Sequence, residues 1–307
     1  MDTKLKNCNY ILITPARNEE THIEKTILSV LSQTILPKKW IIVSDGSTDY
    51  TNEIVNKYLA ENWWMKLIRM PEHRNRQFAA KVNCFNAGYN YIRNAEYDII
   101  GNLDADISFD ENYFEFLLQK FAQMPNLGVA GTPFIENGYS SVNDSFEGEK
   151  HVAGGCQLFR RECFEQVGGY IPIREGGIDW VAVTTARMMS WETISFKEKH
   201  FFHHRKLGTG NGNKIRANFN YGKKDWFLGG HPLWEIFRIS YQLTKKPYII
   251  GGLAIFSGYL CAAISKKERS VSVELMKFHQ REQKQKLSSI LKTVLRFQRF
   301  KKYRIEP

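Results

Sequence analysis

The five cysteines (Cys8, Cys84, Cys156, Cys163 and Cys261) include no CxxC pair and are odd in number. Neither a zinc ribbon nor a closed disulfide framework is therefore expected, and a reducing, cytosolic setting fits. The opening MDTKLKNCNY lacks the apolar run of a secretory leader and leads straight into a candidate strand. The expectation is a protein facing the cytoplasm with no cleaved signal peptide. No internal repeat is evident. The 307 residues, 43% hydrophobic, 13% aromatic and 24% charged, are unlike a disordered, collagenous or disulfide-scaffold chain. Such a length forms one large domain or two unequal ones with a sizeable core. Excess positive charge is scarce until the end: of a net +11, residues 277–307 supply +8, with ten Lys/Arg against Glu282 and Glu306.

What is present begins with short apolar runs. Residues 10–14 and 40–44, β-branched and followed by turn chemistry, predict buried parallel strands. Thr21 and Glu24 have capping-box spacing ahead of Ile23, Ile27, Val30 and Leu31, which recur at helical intervals. A further helix carries Ile54, Val55, Tyr58 and Leu59; a third strand follows at 64–69, a helix from Phe78 to Ile92, and a fourth strand at 97–103. This alternation predicts a doubly wound α/β sheet with right-handed crossovers, whose ligands bind beyond the carboxyl ends of the strands. Residues 151–170 read as strand, short helix and Gly turn, then a helix runs from Asp179 to about Ser190 and a strand lies near 191–203. Residues 206–226 read as a mobile loop, rich in Gly, Asn and Lys.

Three polar clusters stand at strand ends: Pro15 to Glu20, Asp45 to Asp49, and Asp104-Ala105-Asp106. Carboxylates two apart in extended chain face one way and can share one metal-diphosphate group. Asp45 could accept a hydrogen bond from a nucleobase N–H or a ribose hydroxyl. Asp49 suits either a helix N-cap or ligand contact.

The ordered runs TPARNEE, VSDGSTDYT, AAKVNCFNAG, LDAD and GGCQLFRRECFEQVGGY, with an acidic loop after them, resemble the family 2 inverting glycosyltransferases of GT-A fold, over residues 1–205. The resemblance implies a Rossmann-like mixed sheet, a nucleotide-diphosphate sugar donor, Mg²⁺ or Mn²⁺, and inversion at the anomeric carbon. Carried over by position, Pro15, Glu19 and Asp45 match nucleoside-binding positions. Lys81 matches a basic residue near base or diphosphate, Asp104 the carboxylate beside the ribose, and Asp106 the metal ligand. Asp179 matches the catalytic base, although Ile178 stands where the family more often has an acidic residue. Gly154 and Gly155 lie where the family places its sugar pocket, and would let backbone approach a ligand or form a bulge.

The chemistry asks for these groups. Hard cations choose carboxylate and phosphate oxygen, and a sugar hydroxyl needs a carboxylate to take its proton as it attacks. His203 or His204 could complete a metal sphere or meet phosphate oxygen. Arg205, with Lys206 and the loop, could close over the diphosphate.

Residues 227–307 are expected to form a helical, membrane-associated region: an amphipathic stretch at 233–243, the uncharged run 248–264, and a basic tail. As a helix the run would be about 26 Å long against ~30 Å of hydrocarbon, so a full span is not favoured. No nucleic-acid module is recognisable, and an anionic membrane surface is the expected partner of the tail. The reading is a glycosyltransferase peripheral to the inner face of the cell membrane, acting on a glycan or lipid-linked acceptor. Polyprenyl phosphate as acceptor, or a noncatalytic nucleotide-sugar or nucleic-acid binding protein, are the alternatives.

Overall fold

The computed structural model describes residues 8–72, 78–136, 138–143, 148–173, 176–205, 214–265 and 268–302. It divides into two compact units, Met1–Leu207 and Gly208–Pro307.

The first unit opens with β1 (Tyr10–Ala16), α1 (Ile23–Leu31), β2 (Lys39–Asp45), α2 (Thr51–Leu59), β3 (Met65–Met70), α3 (Phe78–Ile92) and β4 (Ile99–Leu103). It continues through β5 (Ile107–Ser108), α4 (Tyr113–Gln123), β6 (Leu127–Gly131), β7 (Phe134–Glu136) and β8 (Tyr139–Ser140). Then follow β9 (Cys156–Arg160), α5 (Arg161–Val167), α6 (Ile178–Met188), β10 (Glu192–Ser195) and β11 (Phe201–His203). Seven strands form one sheet in the order β10-β6-β9-β4-β1-β2-β3. It is mixed because β9 runs antiparallel to β4 and β6 while the other pairings are parallel.

Alternate residues of one strand serve opposite cores. Tyr10 and Leu12 pack with Ile23, Ile27 and Val30 of α1. Ile11 and Ile13 pack with Val82 and Phe85 of α3 and Phe164 of α5. Both faces are covered, which is why these strands are apolar along their whole length.

Local signals were displaced in three places. His22, not Thr21, is the N-cap of α1, with no side-chain cap. Glu24 instead accepts from the Tyr58 hydroxyl at 2.8 Å, tying α1 to α2. The single strand expected near 191–203 is two: β10 edges the large sheet, while β11 belongs to a second sheet, β5-β11-β7-β8.

The third correction lies in the second unit. Of the loop expected at 206–226, residues 206–213 lie outside the described residues, and Lys214–Phe227 is a helix, α7. It is followed by α8 (Pro232–Gln242), α9 (Tyr248–Ile264) and α10 (Val273–Lys302). Gly222 reads as a helix breaker, yet it is the point where α7 crosses α9. A Cβ on Gly222 would lie 1.9 Å from the Ile255 carbonyl oxygen, and one on Gly258 1.9 Å from that of Phe219. Backbone-to-backbone packing of this kind overrides weak local propensity. Among the described residues no helix is long and apolar enough to cross a membrane.

Candidate active site

The site assembles where the chain leaves the carboxyl ends of β1, β2 and β4, on the first unit. The loops after β1 and β2 are cross-tied. Asn18 N donates to Ser47 Oγ at 3.1 Å, Thr48 N to Asn18 Oδ1 at 2.9 Å, and Glu19 N to Thr51 Oγ1 at 2.7 Å. Asn18 adopts φ 54° and Gly46 φ 62° to make these turns. A Cβ on Gly46 would also stand 2.7 Å from the Glu72 backbone. Asp49 completes the tie, accepting from Glu20 N at 3.0 Å and Thr51 N at 3.0 Å. Burial raises its carboxyl, but these donors and the Thr51 hydroxyl outweigh it and hold the group below the usual range. Asp49 is thus fully engaged as a loop fastener at the start of α2.

Asp45 is buried at the end of β2, with the Arg17 guanidinium 3.6 Å from its carboxylate. The Cys84 thiol on α3 is pushed up to about 12, by burial first and then by Asp45. Pro15 pairs in register with Val43, two residues before Asp45. Nothing but the run itself marked Arg17; its role is visible only once β1 and β2 lie side by side.

After β4 the chain turns through Asp104, Ala105 and Asp106. Asp104 N donates to the Gly155 carbonyl at 2.8 Å, and Asn102 Nδ2 to that of Gly154 at 2.8 Å, so the glycine turn is fastened beside the carboxylates. Lys81 Nζ donates to Asp104 Oδ1 at 2.5 Å. Burial works against the Lys81 ammonium, yet Asp104, with Asp179 and Asp106 near it, raises it above its ordinary value. Burial likewise raises Asp104, against the pull of Lys81.

The small sheet supplies the imidazole. β11 pairs antiparallel to β5, placing His203 opposite Ile107, and His203 Nε2 lies 3.6 Å from Asp106 Oδ1. One ligand atom each from Asp104, Asp106 and His203 lies within 4.8 Å of the others. Two carboxylate oxygens and an imidazole nitrogen at this spacing fit a hard divalent cation. His203 Nδ1 faces Glu136 of β7 at 3.6 Å, a neighbour no short motif revealed. His204 is not brought into this group: its Nε2 pairs with Ser108 Oγ at 2.8 Å and its ring stacks on His22. Burial, then Lys25 and His22, depress its pKa. Arg205 reaches back to the Glu19 carboxylate and stands 3.6 Å from Asp106.

Asp179 sits in the first turn of α6, whose N-cap Gly177 takes φ 87°. Its carboxylate presses on the glycine turn: a Cβ on Gly154 would be 2.8 Å from Asp179 Oδ2. One on Gly155 would be 2.9 Å from the Phe201 ring. Glycine is required at both positions by close approach.

Residues 11–145 match the model of Glycosyl transferase family 2. Over that stretch, which is under half of the 307 residues, the chain is similar to that family. The poly-beta-1,6-N-acetyl-D-glucosamine synthase of Staphylococcus epidermidis is 29% identical over 170 residues, covering 49% of this chain and 39% of the relative. That of Staphylococcus aureus (strain COL) is 36% identical over 121 residues, covering 39% and 27%. The chain therefore matches well under half the length of these relatives. Among solved structures, the mannosyltransferase PcManGT from Pyrobaculum calidifontis, in complex with GDP-Man and Mn²⁺, superposes with TM-score 0.54 at 17% identity. That match covers 96% of this chain and 82% of PcManGT. S. aureus TarS 1-349 in complex with UDP-GlcNAc gives TM-score 0.54 at 14% identity, covering 87% and 77%. At these identities the likeness concerns the fold, and the mixed sheet of the first unit is GT-A-like.

Proposed function

We propose that the protein is an inverting glycosyltransferase that moves a sugar from a nucleotide-diphosphate donor to an acceptor hydroxyl in glycan or glycolipid assembly. The observation that carries this reading is the meeting of Asp104, Asp106 and His203 at the end of β4 with Asp179 held against Gly154. Asp45, aimed by Arg17, accepts from the nucleoside, and Pro15 and Glu19 flank it. Asp104, Asp106 and His203 would hold Mg²⁺ or Mn²⁺, which when bound neutralises charge on the leaving diphosphate. Arg205 presents a guanidinium to the same oxygens. Lys81 keeps its charge and orients Asp104. Asp179 takes the proton of the attacking hydroxyl; polyprenyl phosphate, already ionised, would not require that carboxylate, so its placement favours a hydroxyl acceptor.

The Mn²⁺ and GDP-Man of PcManGT, the UDP-GlcNAc of TarS and the polysaccharide made by the named synthases support a nucleotide-sugar donor and a divalent ion. We place the protein at the inner face of the cell membrane. The test is a donor screen: each nucleotide sugar with Mn²⁺ or Mg²⁺, scored by release of nucleoside diphosphate. Release from at least one donor, lost in Asp106→Ala, is expected. Silence across all donors with the purified protein would leave a binding protein instead.

A further inference from the structure

We propose that the outward faces of α8 and α9 dock on an anionic lipid bilayer, with α9 lying along the interface and its side chains at acyl-chain depth. The inference deepens the membrane location given above and rests on that reading. It begins with a helix that has two apolar faces. Gly251, Ala254, Ile255, Gly258 and Ala262 are buried, on the side where α9 crosses α7. On the opposite side Ile249, Leu253, Phe256, Leu260 and Ile264, at helical spacing, are 43–69% exposed. The whole of α9 carries no charged residue. A water-facing helix of a globular unit would place charges on this stripe; here it runs the full length, about 26 Å. Leu233 and Ile236 of α8 are exposed as well. A face of this kind is covered by something.

Charge selects the cover. Residues 208–307 hold 20 Lys/Arg against 6 Asp/Glu, a net +14, whereas residues 1–207 hold 23 against 26, a net −3. On α10 the outer face repeats the theme: Lys277, Arg281, Lys284 and Lys292 are exposed at helical spacing, while Leu275, His279 and Gln283 face inward. Lys246 is exposed directly before α9. A second copy of the chain would cover the apolar stripe but bring together two units of +14. A nucleic acid would match the charge but not the Ile, Leu and Phe side chains. An anionic bilayer accounts for both, with acyl chains for the stripe and phosphate headgroups for the lysines. α9 is too short to cross the hydrocarbon, so it lies in the interface.

The test uses the full chain in flotation with phosphatidylcholine vesicles, with and without phosphatidylglycerol, at low and high salt. Wild type is expected to float with anionic vesicles and only partly detach in high salt, because salt screens the charges but not apolar burial. Leu253→Glu/Phe256→Glu/Leu260→Glu should lower partitioning by about a hundredfold. Lys277→Gln/Arg281→Gln/Lys284→Gln should lose chiefly the preference for phosphatidylglycerol. Circular dichroism checks folding; Leu253→Ser/Leu260→Ser replaces the Glu variant should that one unfold. Flotation of the stripe variants equal to wild type overturns the proposal. So does a wild-type protein that stays with the soluble fraction as a dimer, or that binds DNA oligonucleotides and no vesicles. Flotation needs no donor, so a protein that floats but cleaves no nucleotide sugar fails the enzymatic reading alone, and one that cleaves without floating fails the docking and the membrane location while the enzymatic reading stands.

Discussion

Adding a single methyl group at Gly154 should cripple the chemical step while leaving the donor bound. In Gly154→Ala the new Cβ would stand 2.8 Å from Asp179 Oδ2, 2.9 Å from its Cβ and 3.0 Å from its Cγ. Ordinary contact begins at 3.4 Å, so the Asp179 side chain must retreat by about 0.6 Å. The glycine turn cannot give way instead, because Asn102 Nδ2 and Asp104 N hold the carbonyls of Gly154 and Gly155. A misplacement of about 1 Å at a reacting group costs on the order of 100-fold, so about 0.6 Å should cost about 10- to 20-fold in kcat, or roughly 1.5 kcal/mol of barrier. Asp45, Arg17 and the cation ligands are untouched, and the donor KM should stay within about twofold. Initial rates of nucleoside diphosphate release give kcat and KM, and calorimetry gives donor affinity. Because the methyl acts through Asp179, it should add little on an Asp179→Asn background. A kcat near wild type, or a loss confined to donor affinity, would refute the placement of Asp179 as the base.

Asp106→Ala should abolish metal-dependent turnover with the fold intact, and His203→Ala should weaken Mn²⁺ binding by about 10- to 100-fold, while His204→Ala leaves it nearly unchanged; titration calorimetry with Mn²⁺ separates the two histidines. Asp45→Ala should raise the donor KM with little change in kcat, Arg17→Met should raise it less, and Arg17→Lys should restore most of the loss, since Arg17 acts by holding Asp45; equal donor KM in Asp45→Ala and wild type would remove the nucleoside from that position. Glu235, buried on α8, is pushed up to about 8, by burial first and then by Asp225. A carboxyl raised on folding stabilises where it is protonated, so this contribution is complete below the ordinary glutamate range and is lost as pH rises to about 8. Glu235→Gln should therefore flatten the fall of Tm between about pH 5 and 8, which thermal melts across that interval will read.

The alternation of apolar runs in the first unit was legible because strands covered on both faces, and helices with a single buried stripe, write their periodicity directly. The DAD carboxylates were legible for a related reason: a strand end is a fixed place. What was not legible depends on chain brought from afar. Glu136 meets His203 only because β7 and β11 pair in a sheet whose strands are two or three residues long. The choice between His203 and His204 is set by Ser108 and His22, distant in sequence from both. α7 was hidden because Gly222 and its Asn and Lys neighbours describe a loop locally, while the packing that makes a helix of them comes from α9. Thr21 had a capping sequence but not the capping position, since the loop ties of Glu19 and Glu20 carry the start of α1 further along.

The proposed reaction at this site is cleavage of a nucleotide sugar with inversion. It is tested most directly by incubating the full chain and Mn²⁺ with the α-linked donor selected in the screen, and following the anomeric protons of the released or transferred sugar by NMR before mutarotation. The β-anomer is expected as first product, and its loss in Asp179→Asn. An α-anomer as first product, or full turnover in Asp179→Asn, would contradict it.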